Sequence, residues 1–275
     1  MKKSINGLHL PSITRTVKML ENKSIGLVLS GGGVRGMAHI GLIKAMREHN
    51  LEANVVAGTS IGALVGALYA NNNTVEEMLD FFKKVPLFQY GFFTINKPGF
   101  IDTERYASIF KNFFPENTFE SLERPLYVVA TDLLSGKEKV FNNGQLIKPL
   151  LASAALPPVF SPVDIDGILY SDGGIMNNFP KEYVEDKNEF IIGSNVAITV
   201  PVQKKDLSNS IRLTARVTNL MIHASNSEKL HQCDLFIEPK ELEQIGVLDK
   251  KGIENAFNVG YEHGSRVLEK MMSKS

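Results

Sequence analysis

Two short apolar runs, each ending at glycine and each followed by a helix-like segment, constrain the fold of this chain most strongly. The first, Ile25–Leu29, has the length of a strand buried on both faces, and it leads into the glycine run 31–33. The second, residues 54–57, leads to Gly58 and then to the Ala- and Leu-rich stretch 61–70. Two successive strand-to-helix crossings predict an α/β fold with a parallel sheet.

The remainder of the chain continues this alternation. Further helices are predicted over residues 37–49, 144–155, 208–230 and 252–272, a hairpin over 126–133 and 138–141, and strands over 168–170, 190–193 and 234–238. A length of 275 residues suits one domain, which we expect to span 24–275 after a polar arm over 1–23.

Residues 81–100 combine seven aromatic side chains with prolines and glycines, which predicts a packed irregular excursion. Two interpretations stay open for it. It forms an apolar lid or wall for acyl chains, in which Phe92 and Phe93 contact the substrate, or it forms an ordinary satellite core.

Composition limits the partners. Lys+Arg and Asp+Glu number 30 each, so no overall field draws the molecule to nucleic acid, and any transient contact with a membrane surface has to be local. The single cysteine, Cys233, excludes an intrachain disulfide and suits a reducing compartment. No run of residues is long and apolar enough for a secretory signal or a membrane span, so we expect a soluble, cytoplasmic protein.

The glycine loop admits three explanations. Gly31, Gly32, Gly33 and Gly36 fit G-x-G-x-x-G, but the acid that a dinucleotide site needs at the end of the second strand is absent, and Met37 stands where a phosphate-binding loop needs Lys. The third explanation is an oxyanion hole, in which glycines let backbone N–H groups approach a developing alkoxide at a helix N-terminus. Arg35 is expected to support that loop electrostatically.

A second glycine pair surrounds a serine. Gly58, Ser60 and Gly62 match G-x-S-x-G between a buried strand and an apolar helix, the position of a nucleophile elbow. The flanking glycines permit the sharp turn that exposes the Ser60 hydroxyl. The alternative is a tight turn in which Ser60 only caps the helix.

An activated serine needs a general base. His223, His231 and His263 follow in the chain order of α/β-hydrolases, but all three fall within or beside predicted helices among polar residues. Asp172 is the better candidate, because it ends a strand and Gly173 and Gly174 let the backbone turn closely around a reacting group. A carboxylate with its ordinary pKa near 3.9 is a weak base, so Asp172 is expected to be shielded from water.

These residues resemble the patatin-like phospholipases in four ordered blocks: the glycine loop 31–36, the elbow 58–62, the A-S-x-x-x-P block 152–157 and the D-G-G block 172–174. The resemblance covers residues 25–238. It implies a three-layer sandwich with a mainly parallel central sheet and a Ser-Asp dyad of Ser60 and Asp172. It also implies an oxyanion loop and no metal or other cofactor.

The resemblance therefore predicts a serine lipid acyl hydrolase, of phospholipase A, lysophospholipase or carboxylesterase type, whose partner is a lipid or fatty-acyl ester. An acyltransferase using the same acyl-serine and a catalytically silent lipid-binding homologue remain alternatives. Asp164 and Asp166 suggest a calcium loop, but Ile168 and Leu169 stand where that loop needs an acid and a glycine, so calcium independence is predicted.

Overall fold

A computed structural model gives the structure of residues 23–85, 97–226, 229–230 and 232–273. Its strands are β1 (Ile25–Leu29), β2 (Val55–Thr59), β3 (Leu126–Asp132), β4 (Lys137–Phe141), β5 (Val163–Ile165), β6 (Ile168–Asp172), β7 (Phe190–Ser194) and β8 (Leu235–Ile237). Its α-helices are α1 (Met37–Glu48), α2 (Ile61–Ala70), α3 (Val75–Lys84), α4 (Ala107–Phe110), α5 (Ile147–Ser153), α6 (Glu182–Glu185), α7 (Ser210–Asn226) and α8 (Ile253–Ser273).

These strands form one sheet in the order β5-β6-β3-β2-β1-β7-β8, with β4 paired to β3. The pairs β1–β2, β1–β7, β2–β3 and β7–β8 are parallel, and the pairs β3–β4, β3–β6 and β5–β6 are antiparallel. The predicted α/β fold with a mainly parallel central sheet is confirmed.

Alternation along the strands gives the sheet two buried faces. In β1, Leu27 and Leu29 belong to the main core with α1, α2 and α8, whereas Val28 belongs to a second cluster that includes Val184 of α6. Successive side chains of a strand point to opposite faces, so helices cover the sheet on both sides. This is the three-layer arrangement that the resemblance predicts.

The segment 81–100 differs from the prediction at its start. Thr74 and Glu77 form a capping box that begins the regular amphipathic helix α3. Phe81 and Phe82 lie in this helix, and both are buried. The irregular excursion therefore does not begin at residue 81. The lid or wall proposed around Phe92 and Phe93 falls on residues 86–96, and the arm 1–22 and His231 likewise lie outside the described residues.

The sheet register brings the candidate site residues to one edge. Leu29 pairs with Gly58 in the parallel pair β1–β2, so the glycine loop and Ser60 both follow strands that end at the same edge. Thr59 pairs with Val129 of β3, and the next residue of β3, Ala130, pairs with Asp172. Ser60 and Asp172 are thereby level with each other across β3.

Candidate active site

Ser60 lies at a strained turn between β2 and α2. Its backbone has φ 54° and ψ −126°, a conformation that a non-glycine residue adopts at a cost of about 1–3 kcal/mol. The Ser60 N–H donates to Ser153 Oγ at 2.8 Å, at the end of α5. The turn requires glycine on both sides of Ser60. A β-carbon on Gly58 would lie 2.5 Å from the Gly62 carbonyl oxygen, and one on Gly62 would lie 2.2 Å from the Leu29 carbonyl oxygen.

The Ser60 hydroxyl donates a hydrogen bond to a buried carboxylate. Ser60 Oγ lies 2.6 Å from Asp172 Oδ2, and the other carboxylate oxygen accepts the Gly174 N–H at 2.8 Å. Asp172 is only 3% exposed, and burial raises its pKa from 3.8 to about 6 in spite of these two donors. The shielding expected of Asp172 is present, and a raised pKa makes the carboxylate a stronger base near neutral pH.

The backbone after β6 delivers this carboxylate to Ser60. A β-carbon on Gly173 would lie 2.2 Å from the Val129 carbonyl oxygen, so only glycine lets the chain cross the end of β3 so closely. Thr131 Oγ1 donates to the Asp172 carbonyl oxygen at 2.8 Å and fixes the end of the strand. On Gly174 a β-carbon would lie 3.0 Å from Asp172 Oδ1 and would crowd this carboxylate.

The glycine loop lies beside Ser60. A β-carbon on Gly31 would lie 3.1 Å from the Ser60 β-carbon, and Gly33 has a φ of 60°, which favours glycine. Within the described part of the chain, no group accepts a hydrogen bond from the N–H of Gly32 or Gly33. Gly36 has another role, because its missing side chain makes room for Ile61 at the start of α2. The loop can therefore present two backbone donors close to the serine.

Arg35 does not direct its donors toward Ser60. Its guanidinium donates to the carbonyl oxygens of Ile245 at 2.7 Å, Ile198 at 2.8 Å and Glu243 at 3.4 Å. The side chain is 8% exposed, and the charge-assisted bond to Ile245 is buried, whereas those to Ile198 and Glu243 are partly buried. Arg35 therefore ties the glycine loop to the C-terminal third of the chain, which is consistent with the support for this loop that the sequence predicts.

His39 supports the same loop through Ser30, the residue that precedes Gly31. Its Nε2 lies 2.9 Å from the Ser30 carbonyl oxygen, which only accepts, so Nε2 carries the proton and Nδ1 accepts from Ser194 Oγ at 2.8 Å. Burial lowers the pKa of His39 to about 4, and the ring is neutral near pH 7. Neither His223 nor His263 lines the pocket around Ser60 in the described residues, so neither is placed to act as base.

Two residues of the site escaped sequence reasoning. Asn178 links the two loops: its carbonyl oxygen accepts the Gly31 N–H at 3.4 Å, and its Oδ1 lies beside Gly174. Val247 accepts the Val34 N–H at 2.8 Å through its carbonyl oxygen. The sequence carries no signal for the hydrogen bonds of Gly31 with Asn178 and of Val34 with Val247, because each joins residues more than a hundred positions apart.

Ser60 and Asp172 face an apolar pocket that encloses about 870 Å³ of space, its open mouth included. Its apolar lining comes from Ile61, Leu64, Ala154, Leu156, Phe160, Val196, Ala197, Ile198, Ile222, Val247 and Leu248. A hydroxyl hydrogen-bonded to a buried carboxylate, two backbone donors and an apolar pocket together suit acyl transfer from an apolar ester.

Comparisons with known proteins agree with this arrangement. The model of the patatin-like phospholipase family matches residues 27–184. An NTE family protein of Mycobacterium bovis is 33% identical over 65% of this chain and 48% of its own length. The neuropathy target esterase sws of Drosophila melanogaster is 30% identical, and the mouse patatin-like phospholipase domain-containing protein 7 is 31% identical, each over 70% of this chain.

The chain spans about half the length of the mycobacterial relative and 14% of each of these two animal proteins. Among solved structures, VipD from Legionella pneumophila is similar with a TM-score of 0.54 and 14% sequence identity, over 90% of this chain and 67% of that one. This likeness concerns the fold alone. Since the family match covers more than half of the residues, the chain belongs to the patatin-like phospholipase family.

Proposed function

We propose that this protein is a serine lipid acyl hydrolase that uses Ser60 and Asp172 as a catalytic dyad. The observation that carries the proposal is the 2.6 Å hydrogen bond from Ser60 Oγ to a carboxylate whose pKa is raised to about 6 by burial. Membership of the patatin-like phospholipase family supports a lipid ester as substrate.

The proposed reaction has two halves. Asp172 takes the Ser60 proton as Oγ attacks the ester carbonyl carbon, and the N–H groups of Gly32 and Gly33 stabilise the oxyanion, each contributing about 3 kcal/mol to barrier reduction. The alcohol or lysolipid leaves with the proton from Asp172. Asp172 then deprotonates a water molecule, which attacks the acyl-serine, and the Ser60 oxygen takes that proton back from Asp172 as the fatty acid is released.

The test is covalent labelling with a fluorophosphonate, read by intact-protein mass spectrometry, together with hydrolysis of a long-chain p-nitrophenyl ester. We expect wild type to label and hydrolyse, and Ser60→Ala and Asp172→Asn each to lose about three or more orders of magnitude in kcat. The chain offers a matched control, because Ser135 Oγ also donates to an aspartate, Asp132 Oδ2, at 2.7 Å, but in an exposed turn.

Ser135→Ala and Asp132→Asn should therefore label and hydrolyse like wild type. Labelling that survives Ser60→Ala would remove Ser60 as nucleophile, and full activity in Asp172→Asn would remove Asp172 as base. Product analysis with added lysolipid distinguishes hydrolysis from acyl transfer, because an acyltransferase would form diacyl product instead of free fatty acid.

We also propose that the reaction does not depend on calcium. The Asp164 carboxylate accepts the Gly167 N–H at 2.9 Å and so stabilises the turn between β5 and β6. Hydrolysis of the same ester should be unchanged in excess chelator. Loss of activity on chelation, with recovery on adding calcium, would contradict the proposal.

A further inference from the structure

The helix α7 exposes an apolar stripe to solvent. The exposed fractions of its side chains are 49% for Leu213, 47% for Val217, 43% for Leu220 and 68% for Met221. These four residues follow the spacing i, i+4, i+7, i+8, which places them within an arc of about 100° on one face of the helix. A contiguous apolar face of this kind on a surface helix is typical of a site that binds another protein or a membrane.

The opposite face of the same helix belongs to the candidate active site. Asn219 and Ile222 line the pocket around Ser60, and they lie roughly opposite the stripe on the helical wheel. The helix therefore separates the pocket from solvent, with one face toward each. A partner bound to the apolar stripe therefore lies on the other side of α7 from the pocket that contains Ser60.

Cations accompany the stripe. Residues 202–226 contain four cations, Lys204, Lys205, Arg212 and Arg216, and one acid, Asp206. No acid occurs over 208–226. On the helical wheel Arg216 lies about 40° and Arg212 about 80° beyond Leu220, so both project from one side of α7, between the apolar arc and Asn219. An apolar stripe bordered by cations is the pattern of a helix that lies in the interface of an anionic lipid surface.

We propose that α7 docks this protein on an anionic lipid surface, with Leu213, Val217, Leu220 and Met221 inserted among the acyl chains and Arg212 and Arg216 at the headgroups. The inference rests on the proposed function, since a lipid hydrolase needs access to lipid assemblies. A second copy of the chain fits this face less well. Packing two such helices together would bring their arginines close, and the helix carries no acid to neutralise them.

The test separates binding from catalysis by using the full chain with Ser60→Ala. Flotation with phosphatidylcholine vesicles is compared with flotation with vesicles that also contain phosphatidylglycerol. We expect strong binding only to the phosphatidylglycerol vesicles. The double variants Val217→Ser with Met221→Ser, and Arg212→Glu with Arg216→Glu, should each lower the partition coefficient about tenfold or more.

A matched control lies on α8, where Arg266 and Lys270 are also cations four residues apart. They lie toward the end of α8, beyond Tyr261, which contacts Glu48 at the far end of α1 from the glycine loop. Arg266→Glu with Lys270→Glu should bind vesicles like the Ser60→Ala parent. Circular dichroism, and hydrolysis of a soluble short-chain ester by the same variants with Ser60 intact, verify that each is folded.

Three outcomes would overturn the docking proposal. One is unchanged vesicle binding by both α7 double variants. Another is a dimer of wild type in light scattering that Val217→Ser with Met221→Ser converts to a monomer, which would assign the stripe to a second copy. The third is an equal loss of binding in the α8 control. Vesicle binding without any hydrolysis by wild type would instead count against the proposed function and leave the docking proposal standing.

Discussion

At the scale of single residues, the buried carboxylate of Asp172 determines how activity should depend on pH. In the proposed mechanism Asp172 acts as a base only when it is ionised, and burial raises its pKa to about 6. We therefore expect kcat/KM for a soluble ester to fall about tenfold per unit below pH 6 and to be level above it. The rate of product formation, measured by mass spectrometry at each pH, gives the profile.

The control for this profile is His263→Gln. Burial lowers the pKa of His263, which lies beside Glu241 and outside the pocket lining of the described residues. The inflection should therefore persist in this variant. An inflection that disappears with His263, or a profile that stays level to about pH 4, the ordinary range of aspartate, would contradict the assignment to Asp172.

The same carboxylate should reduce stability. Its folded pKa of about 6 lies above the ordinary 3.8, so its stabilising contribution is present below about pH 3.8 and is lost as pH rises through 6. Above pH 6 the buried charge costs up to about 3 kcal/mol relative to the neutral acid. Asp172→Asn should therefore increase the free energy of unfolding by about 1–3 kcal/mol at pH 8 and have little effect near pH 4.

Denaturant unfolding at the two pH values measures this difference. Asp132→Asn serves as the comparison, because hydrogen bonds from Ser135 and Leu134 lower the pKa of Asp132. Its effect should have the opposite sign, a small loss of stability at pH 8. If Asp172→Asn is no more stable than wild type at pH 8, the carboxylate is better solvated than the structure indicates.

At the scale of elements, glycines set how closely α1 and α8 approach. A β-carbon on Gly260 would lie 2.1 Å from the Ala38 carbonyl oxygen, whereas one on Gly264 would meet the end of the Leu42 side chain at 3.0 Å. Gly260→Ala should cost about 1–3 kcal/mol or more, because backbone has to move. Gly264→Ala should be within about 1 kcal/mol of neutral, since alanine favours the helix and Leu42 can rotate.

Thermal unfolding of the two variants makes the comparison, with each glycine serving as the control for the other. Similar losses at both positions would indicate that helix separation does not limit stability here. Because α1 begins at the glycine loop, Gly260→Ala is also expected to lower esterase activity more than Gly264→Ala does.

Elements were predicted well where local pattern decides the structure. The stretch 61–70 forms α2 with the predicted bounds, and the hairpin of β3 and β4 is in its predicted place. The strand β5 was missed because Pro162 precedes it and Asp164 interrupts its apolar residues, whereas β8, of the same length, is an unbroken apolar run and was predicted. The misreading of Phe81 and Phe82 came from grouping them with the breakers that follow instead of with the capping box that precedes them.

At the scale of the whole molecule, the site is predictable where glycines mark it and unpredictable where distant segments meet. The meeting of Ser60 and Asp172 could be predicted because each stands beside glycines at the end of a strand. The direction of the Arg35 side chain could not be predicted, since its acceptors lie 163 to 210 residues away along the chain. Contacts across such separations depend on packing, which a single sequence does not display.

The distance between Ser60 and Asp172 along the chain bears on the synthesis of the protein. They are 112 residues apart, and the loop beside Ser60 is tied by Arg35 to Ile245, which is translated later still. A nascent chain that has made its serine has no base, and one that has made both still has an untethered glycine loop. Under the proposed function, a protein able to attack the cell's own lipids therefore stays inert on the ribosome until almost all of its fold has been made.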